Sequence, residues 1–322
     1  MKTASVTQRI DLHHHVFPPE YVTDLAQKGI DWTGGAGVPR WSLDHALETM
    51  EHHSIAAAVA SAQPLVFWGD AKAAVRWARH SNEFLADIVR NDSAHFGGFA
   101  SVPLPDVEAA CREVAHAFDV LKLDGVLLAT SCGPRYLGHP AYEELYQELN
   151  RRSAVAFVHP NTAPPGSDVP DYNIPNALVE FTFDTTRCIA NLIYSGTLET
   201  YPNIRFIMPH AGGTAPFLSW RMGLGDHMPA LKGKAPKGAL HYLQRLYYDT
   251  ALSASPAALA SLTEAIPSSQ IVFGSDFPFV AAHEIPVETT GLETSRFLDA
   301  NTRRMIDRDN ALQLFPRFAS AV

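Results

Sequence analysis

Eight short runs rich in Val, Ile, Ala and Phe, separated by longer stretches of helical character, restrict the folding of this 322-residue chain more than any other feature. The runs are RIDLHHHV from Arg9, IAAAVASA from Ile55, HFGGFASV from His95, DGVLLAT from Asp124, AVAFVH from Ala154, IRFIMPH from Ile204, RLYYDTA from Arg245 and QIVFGSD from Gln270. Between and after them the sequence predicts helices over 42–53, 71–90, 107–121, 141–152, 177–195, 256–265, 290–298 and 302–314. Strand-like runs alternating with helices are the pattern of βα units on a parallel sheet. Eight of them fit a closed (β/α)8 TIM barrel of the α/β class, because a doubly wound sheet usually uses fewer strands. No repeat, low-complexity tract or linker divides residues 1–322, so a single barrel domain is expected. Two long loops, 17–40 with its GGAG and the proline-rich 161–175, follow strands one and five and should lie over the mouth where ligands bind.

Composition narrows the partners. With 46% hydrophobic and 18% charged residues, the chain can bury a large core. Its net charge of −9 is spread out, and no Lys/Arg run offers a footprint for nucleic acid or an anionic membrane. A small-molecule partner is expected. Cys111, Cys132 and Cys188 are far apart and form no CxxC pair, which suits a reducing cytoplasm. The first residues lack the apolar core of a signal peptide, and no stretch reaches the roughly 18 apolar residues of a membrane span. A cytoplasmic protein is expected.

The strongest chemical signal is Asp11-Leu12-His13-His14-His15 inside the first run. Side chains alternate along a strand, so His13 and His15 share a face that His14 does not. His159, His210 and Asp276 end the fifth, sixth and eighth runs, in VHP, PHAGG and GSDFP. Strand C-termini converge at one mouth of a barrel, which would make these distant residues neighbours. His13, His15, His159 and Asp276 then form a nitrogen and oxygen set suited to zinc or another first-row divalent ion, with one position left open.

The passages WSLDHALETM, FGGFASVPLPD, YLGHPAYEELYQELNRR, FVHP, FTFDTTR, SGTLETYPNIRFIMPHAGG and FGSDFP carry a resemblance over nearly the whole chain. The sequence resembles the amidohydrolase superfamily, and within it the branch of aminocarboxymuconate semialdehyde, γ-resorcylate and 6-methylsalicylate decarboxylases. The resemblance implies an amidohydrolase-type barrel holding one divalent metal ion on His13, His15, His159 and Asp276, with Zn2+ first and Mn2+ second. It places His210 beside the ion and makes His210 and Asp276 the catalytic pair. Strand four, GVLLATSCG, lacks the terminal lysine that binuclear members use, so a mononuclear site is implied. Arg221, downstream of His210, is implied to reach across a homodimer interface to a substrate carboxylate. Arg40 is a weaker arginine candidate, and Arg187 is expected to be structural, pairing with a nearby carboxylate such as Asp184. Trp32, Trp41, Phe67, Trp68, Phe183 and Phe279 lie where some could stack on a ring, although large aromatics are more often core. The implied activity is nonoxidative decarboxylation of a hydroxylated, salicylate-like aromatic acid. The alternative on the same site is a hydrolase of a lactone or amide, or a hydratase of a ring-cleavage product.

Overall fold

A computed structural model describes residues 8–30, 37–62, 66–161 and 174–320. Each run becomes a strand: β1 Arg9–His15, β2 Ile55–Ser61, β3 Phe96–Ser101, β4 Gly125–Ala129, β5 Val155–His159, β6 Arg205–Met208, β7 Tyr247–Asp249 and β8 Ile271–Val272. Neighbours pair in parallel in chain order. This order follows from the intervening helices, since a parallel step needs a crossover that carries the chain back to the sheet's starting edge. The result is a TIM barrel.

The β8 to β1 seam closes without a regular ladder. After β8 the chain runs along β1, with Leu12 N–H donating to Phe273 O at 3.0 Å, Asp276 N–H to His13 O at 2.8 Å and His15 N–H to Phe277 O at 2.7 Å. The Asp11 carboxylate fills a missing rung, accepting from the Ser275 backbone N–H at 3.0 Å and its hydroxyl at 2.5 Å. Glycine is required at Gly274, because a Cβ there would lie 2.7 Å from the His13 Cβ.

β1 also carries a bulge, its register against β2 slipping between Asp11 and His14. A bulge resets which side chains face which way. Ile10 and Leu12 pack inside the barrel with Ala57, Val59, Phe99, Leu127 and Phe157. His13 faces the same interior, its ring centroid 4.8 Å from that of Phe157. The His13 N–H donates to Asp11 Oδ1 at 3.0 Å, which keeps the bulge satisfied. Outward-facing strand residues such as Ala58, Ala60, Val126, Leu128 and Val158 join the larger cluster shared with the helices.

The N-terminal end of the barrel is plugged by Ala311, Leu314, Phe315 and Phe318 and stitched by ion pairs. Arg9 reaches Asp307 at 3.1 Å and Glu293 at 2.7 Å, and Arg317 reaches Asp124 at 2.6 Å.

Several expected elements differ in detail. A helix, Pro19–Gln27, occupies part of the stretch read as loop 17–40, with Pro19 in its first turn and Tyr21 and Leu25 buried. Residues 31–36 of that loop and 162–173 of the other lie outside the described residues. The helix expected over 290–298 runs instead over Ile285–Thr294, since Pro286 in the first turn gives up an N–H that would be unpaired anyway. The helices expected over 107–121 and 302–314 contain π-turns at Ala117–Leu121 and Met305–Asp309. In the second, the Ile306 carbonyl turns to accept from Phe273 N–H at 3.0 Å.

Candidate active site

At the C-terminal mouth of the barrel, each of three histidines has one ring nitrogen held from behind. His13 Nδ1 lies 2.7 Å from Asp249 Oδ2, His15 Nδ1 3.2 Å from Ser61 Oγ, and His159 Nδ1 2.5 Å from the Pro160 carbonyl. Holding Nδ1 fixes ring orientation and turns the Nε2 lone pair toward a common point. His13 Nε2 and His15 Nε2 are 3.1 Å apart, and Asp276 Oδ1 is 3.2 Å from the first and 3.1 Å from the second. One ligating atom from each of His13, His15, His159 and Asp276 lies within 4.8 Å of every other. Imidazole lone pairs and a carboxylate crowded this way repel one another unless a cation lies among them. The residues therefore fit a divalent metal ion.

Electrostatics point the same way. Burial opposes charging His13, yet Asp249 and Asp276 override it and push its pKa up to about 10. Burial lowers His15, and burial with the neighbouring His15 and His13 holds His159 well below the usual histidine value. Burial would raise Asp276, but His13, His15 and His210 hold it well below the usual carboxylate range. Two carboxylates thus draw positive charge into a buried cluster of imidazoles.

His210 stands beside the cluster, its Nε2 3.5 Å from Asp276 Oδ2. Both its ring nitrogens are buried without a hydrogen-bond partner among the described residues. His210 and Asp276 each adopt a left-handed backbone, φ 53° and 58°. Such conformations are costly for non-glycine residues and persist where the surroundings enforce them. Here the enforcers are Asp249 Oδ1, which accepts the His210 N–H at 2.8 Å, and the His13 carbonyl, which accepts that of Asp276.

The cluster opens into a cavity of about 650 Å3. Its walls are largely apolar, with Phe181, Leu252, Phe279, Val280 and Val287 among them. That size and a few polar groups at one end suit a small ring compound.

An amidohydrolase family model matches residues 10–317. The chain belongs to the amidohydrolase family. It is 34% identical over 315 residues to the 6-methylsalicylic acid decarboxylase of Penicillium expansum, covering 96% of each chain. A solved structure described as amidohydrolase II is 27% identical with a TM-score of 0.89, covering 95% of this chain and 99% of that one. A dihydroxybenzoic acid decarboxylase of a Polaromonas species, solved with manganese and the inhibitor 2-nitroresorcinol, is 24% identical with a TM-score of 0.79, over 98% of this chain and 99% of that one.

The other expected residues of this amidohydrolase are placed differently. Arg221 is exposed on the short helix Ser219–Gly223 and does not line the cavity. Arg40 is also exposed and outside the lining. Arg187 approaches Glu180 at 4.0 Å, whereas Asp184 accepts hydrogen bonds from Thr130 and Tyr136. Of the aromatics, Phe279 lines the cavity, Trp41, Phe67 and Trp68 pack against the core, Phe183 is exposed, and Trp32 lies outside the described residues. His14 is buried facing away from the cluster, with Nδ1 3.2 Å from Asp11 and its ring against Phe277.

Sequence reasoning passed over three supporting residues. Asp249 orients His13 and the His210 backbone, Ser61 meets His15, and Asp11 holds the seam. Asp249 left a signal, because it ends its strand in YYDTA just as His159 ends its own.

Proposed function

We propose that this amidohydrolase is a nonoxidative decarboxylase of a hydroxylated, salicylate-like aromatic acid, with one divalent ion held by His13, His15, His159 and Asp276. One observation carries the reading: a convergent three-imidazole, one-carboxylate cluster opens into a largely apolar cavity of small-molecule size. The Penicillium relative, named for such a reaction and matched over 96% of each chain, supports it. The donor set suits zinc, and manganese, present in the Polaromonas protein, is the competitor.

Held by His13, His15, His159 and Asp276, the ion would supply Lewis acidity toward the oxygen substituents of the substrate. Phe181, Phe279 and Val280 pack on the ring and keep water away from it. The Asp276 carboxylate takes the phenolic proton and passes it to the ring carbon bearing the carboxylate. An acid that holds its proton weakly is a strong donor to carbon. His210 Nε2 steadies the phenolic oxygen as charge leaves it. The bond to the carboxylate then breaks, its electron pair restores the aromatic ring, and CO2 departs.

The reading extends to assembly and setting. The described cavity lining holds no Lys or Arg to meet a carboxylate. Arg221 lies beside Phe217 and Trp220, which are 78% and 85% exposed. A second copy covering those aromatics would bring Arg221 into a homodimer interface, where a guanidinium can grip a carboxylate with two hydrogen bonds. We read the chain as a single barrel domain. The cysteines are unpaired, which suits the cytoplasm, and among the described residues no helix is long and apolar enough to cross a membrane.

The decisive experiment pairs metal analysis of purified protein with CO2 release from salicylates, resorcylates and vanillate-type acids, alongside lactones and amides. Bound divalent metal with CO2 release is expected. Lactone or amide hydrolysis without CO2 would replace the decarboxylase by a hydrolase. Mixing Arg221→Ala and His210→Ala proteins should restore activity through one intact site per heterodimer. No recovery, with subunit exchange verified, removes Arg221 from the partner's site.

A further inference from the structure

One carboxyl group in the cavity has no part in the chemistry above. Glu288 sits in the first turn of the helix Ile285–Thr294, lines the cavity and is 9% exposed. Gly291, on the same helix, packs against the segment after β7 so closely that a Cβ would lie 2.6 Å from the Ala254 carbonyl oxygen. This approach brings the backbone N–H groups of Ala254 and Ser253 to the Glu288 carboxyl. Its Oε1 is buried with no hydrogen-bond partner among the described residues. The same lining holds the apolar Leu252, Ala254 and Val287 and the polar Ser255 and Glu284.

A buried polar atom without a partner costs stability, and a residue that persists at that cost beside a ligand cavity is suited to a polar group on the ligand. We propose that Glu288 reads a second hydrogen-bonding substituent, a hydroxyl or amine, on the substrate ring, and so determines which hydroxylated acids this enzyme accepts. The inference rests on the ring-acid reading above and adds a substrate feature to it. Burial first, then Asp249 and Asp276, push the Glu288 carboxyl up to about 8. In that neutral form it both donates and accepts, which matches a ring hydroxyl and avoids repelling an anionic substrate.

Carboxylate-free rings test the inference independently of turnover. Binding of phenol, catechol, resorcinol and hydroquinone to metal-loaded enzyme is measured by calorimetry. Wild-type protein should bind at least one dihydroxybenzene about tenfold or more tighter than phenol. Glu288→Gln should keep part of that preference. Glu288→Leu should abolish it, with phenol affinity unchanged within about twofold. A Glu288 of purely structural importance would change the melting temperature and leave the preference intact, which overturns the proposal. Absence of any preference in the wild-type protein also overturns it, whatever the variants do. Preference lost in Glu288→Leu supports the assignment even if no acid releases CO2, an outcome that would sink the decarboxylase reading alone.

Discussion

At the N-terminal end of the barrel, Arg9 is buried but spends its donors on Asp307, Glu293 and the His53 carbonyl, and the Asn310 amide donates to Ser268 and Ile271. At the C-terminal mouth, equally buried groups are left open: both nitrogens of His210 and Glu288 Oε1 have no hydrogen-bond partner among the described residues. Both ends lie on the same strands and have similar burial, so burial alone does not explain the difference. One end is complete within the chain, and the other is complete only with something bound. In a barrel, the first arrangement serves stability and the second serves chemistry.

Substitutions test whether the two ends differ in this way. His159→Ala should lose bound divalent metal and reduce CO2 release by about 10²–10⁴-fold, whereas His14→Ala should keep its metal. Equal metal loss by both, read by elemental analysis, would mean that the two faces of β1 are not functionally distinct. Arg9→Met should do the reverse, lowering unfolding free energy by roughly 3–5 kcal/mol in denaturant melts while activity per folded molecule is kept. Loss of metal from that variant would erase the distinction between the ends. Asp249→Asn should weaken metal affinity by about 10–100-fold in a chelator competition, because His13 would no longer be held from behind by a carboxylate.

The last test concerns pH. The Glu288 carboxyl is raised from 4.5 to about 8, chiefly by burial. Between those values the folded chain keeps a proton that the unfolded chain releases, so this group's contribution to stability falls as pH rises from about 4.5 to about 8. Glu288→Gln removes that slope. Its melting temperature should gain on the wild-type value between about pH 5 and about pH 8.5. A difference that stays constant across this range would mean that the carboxyl is already ionised in the fold.

All eight strands were readable because each combines a β-rich run with a turn signal. The pairing of His13 with His15 on one face was also readable, but strand alternation was only part of the reason. The bulge at Asp11–His14 shifts the face and puts Leu12 and His13 both inside, an event that no local pattern announces. His210 and Asp276 stand just beyond their strands in left-handed conformations, and tertiary hydrogen bonds from Asp249 and β1 impose these. Asp249, Ser61 and Glu288 carry no motif because their roles depend on what lies across the barrel. The helix Pro19–Gln27 was hidden by the glycine-rich stretch that follows it, although Tyr21 and Leu25 have the spacing of a buried face.

The seam between β8 and β1 has a consequence for how the protein is made. His13 and His15 leave the ribosome long before Asp276, which completes the set and bonds to the His13 carbonyl. No nascent chain that stops short of the eighth strand can assemble all four donors. Capture of the ion therefore reports that synthesis has passed the final strand, and a prematurely terminated chain is left without that added grip on its fold.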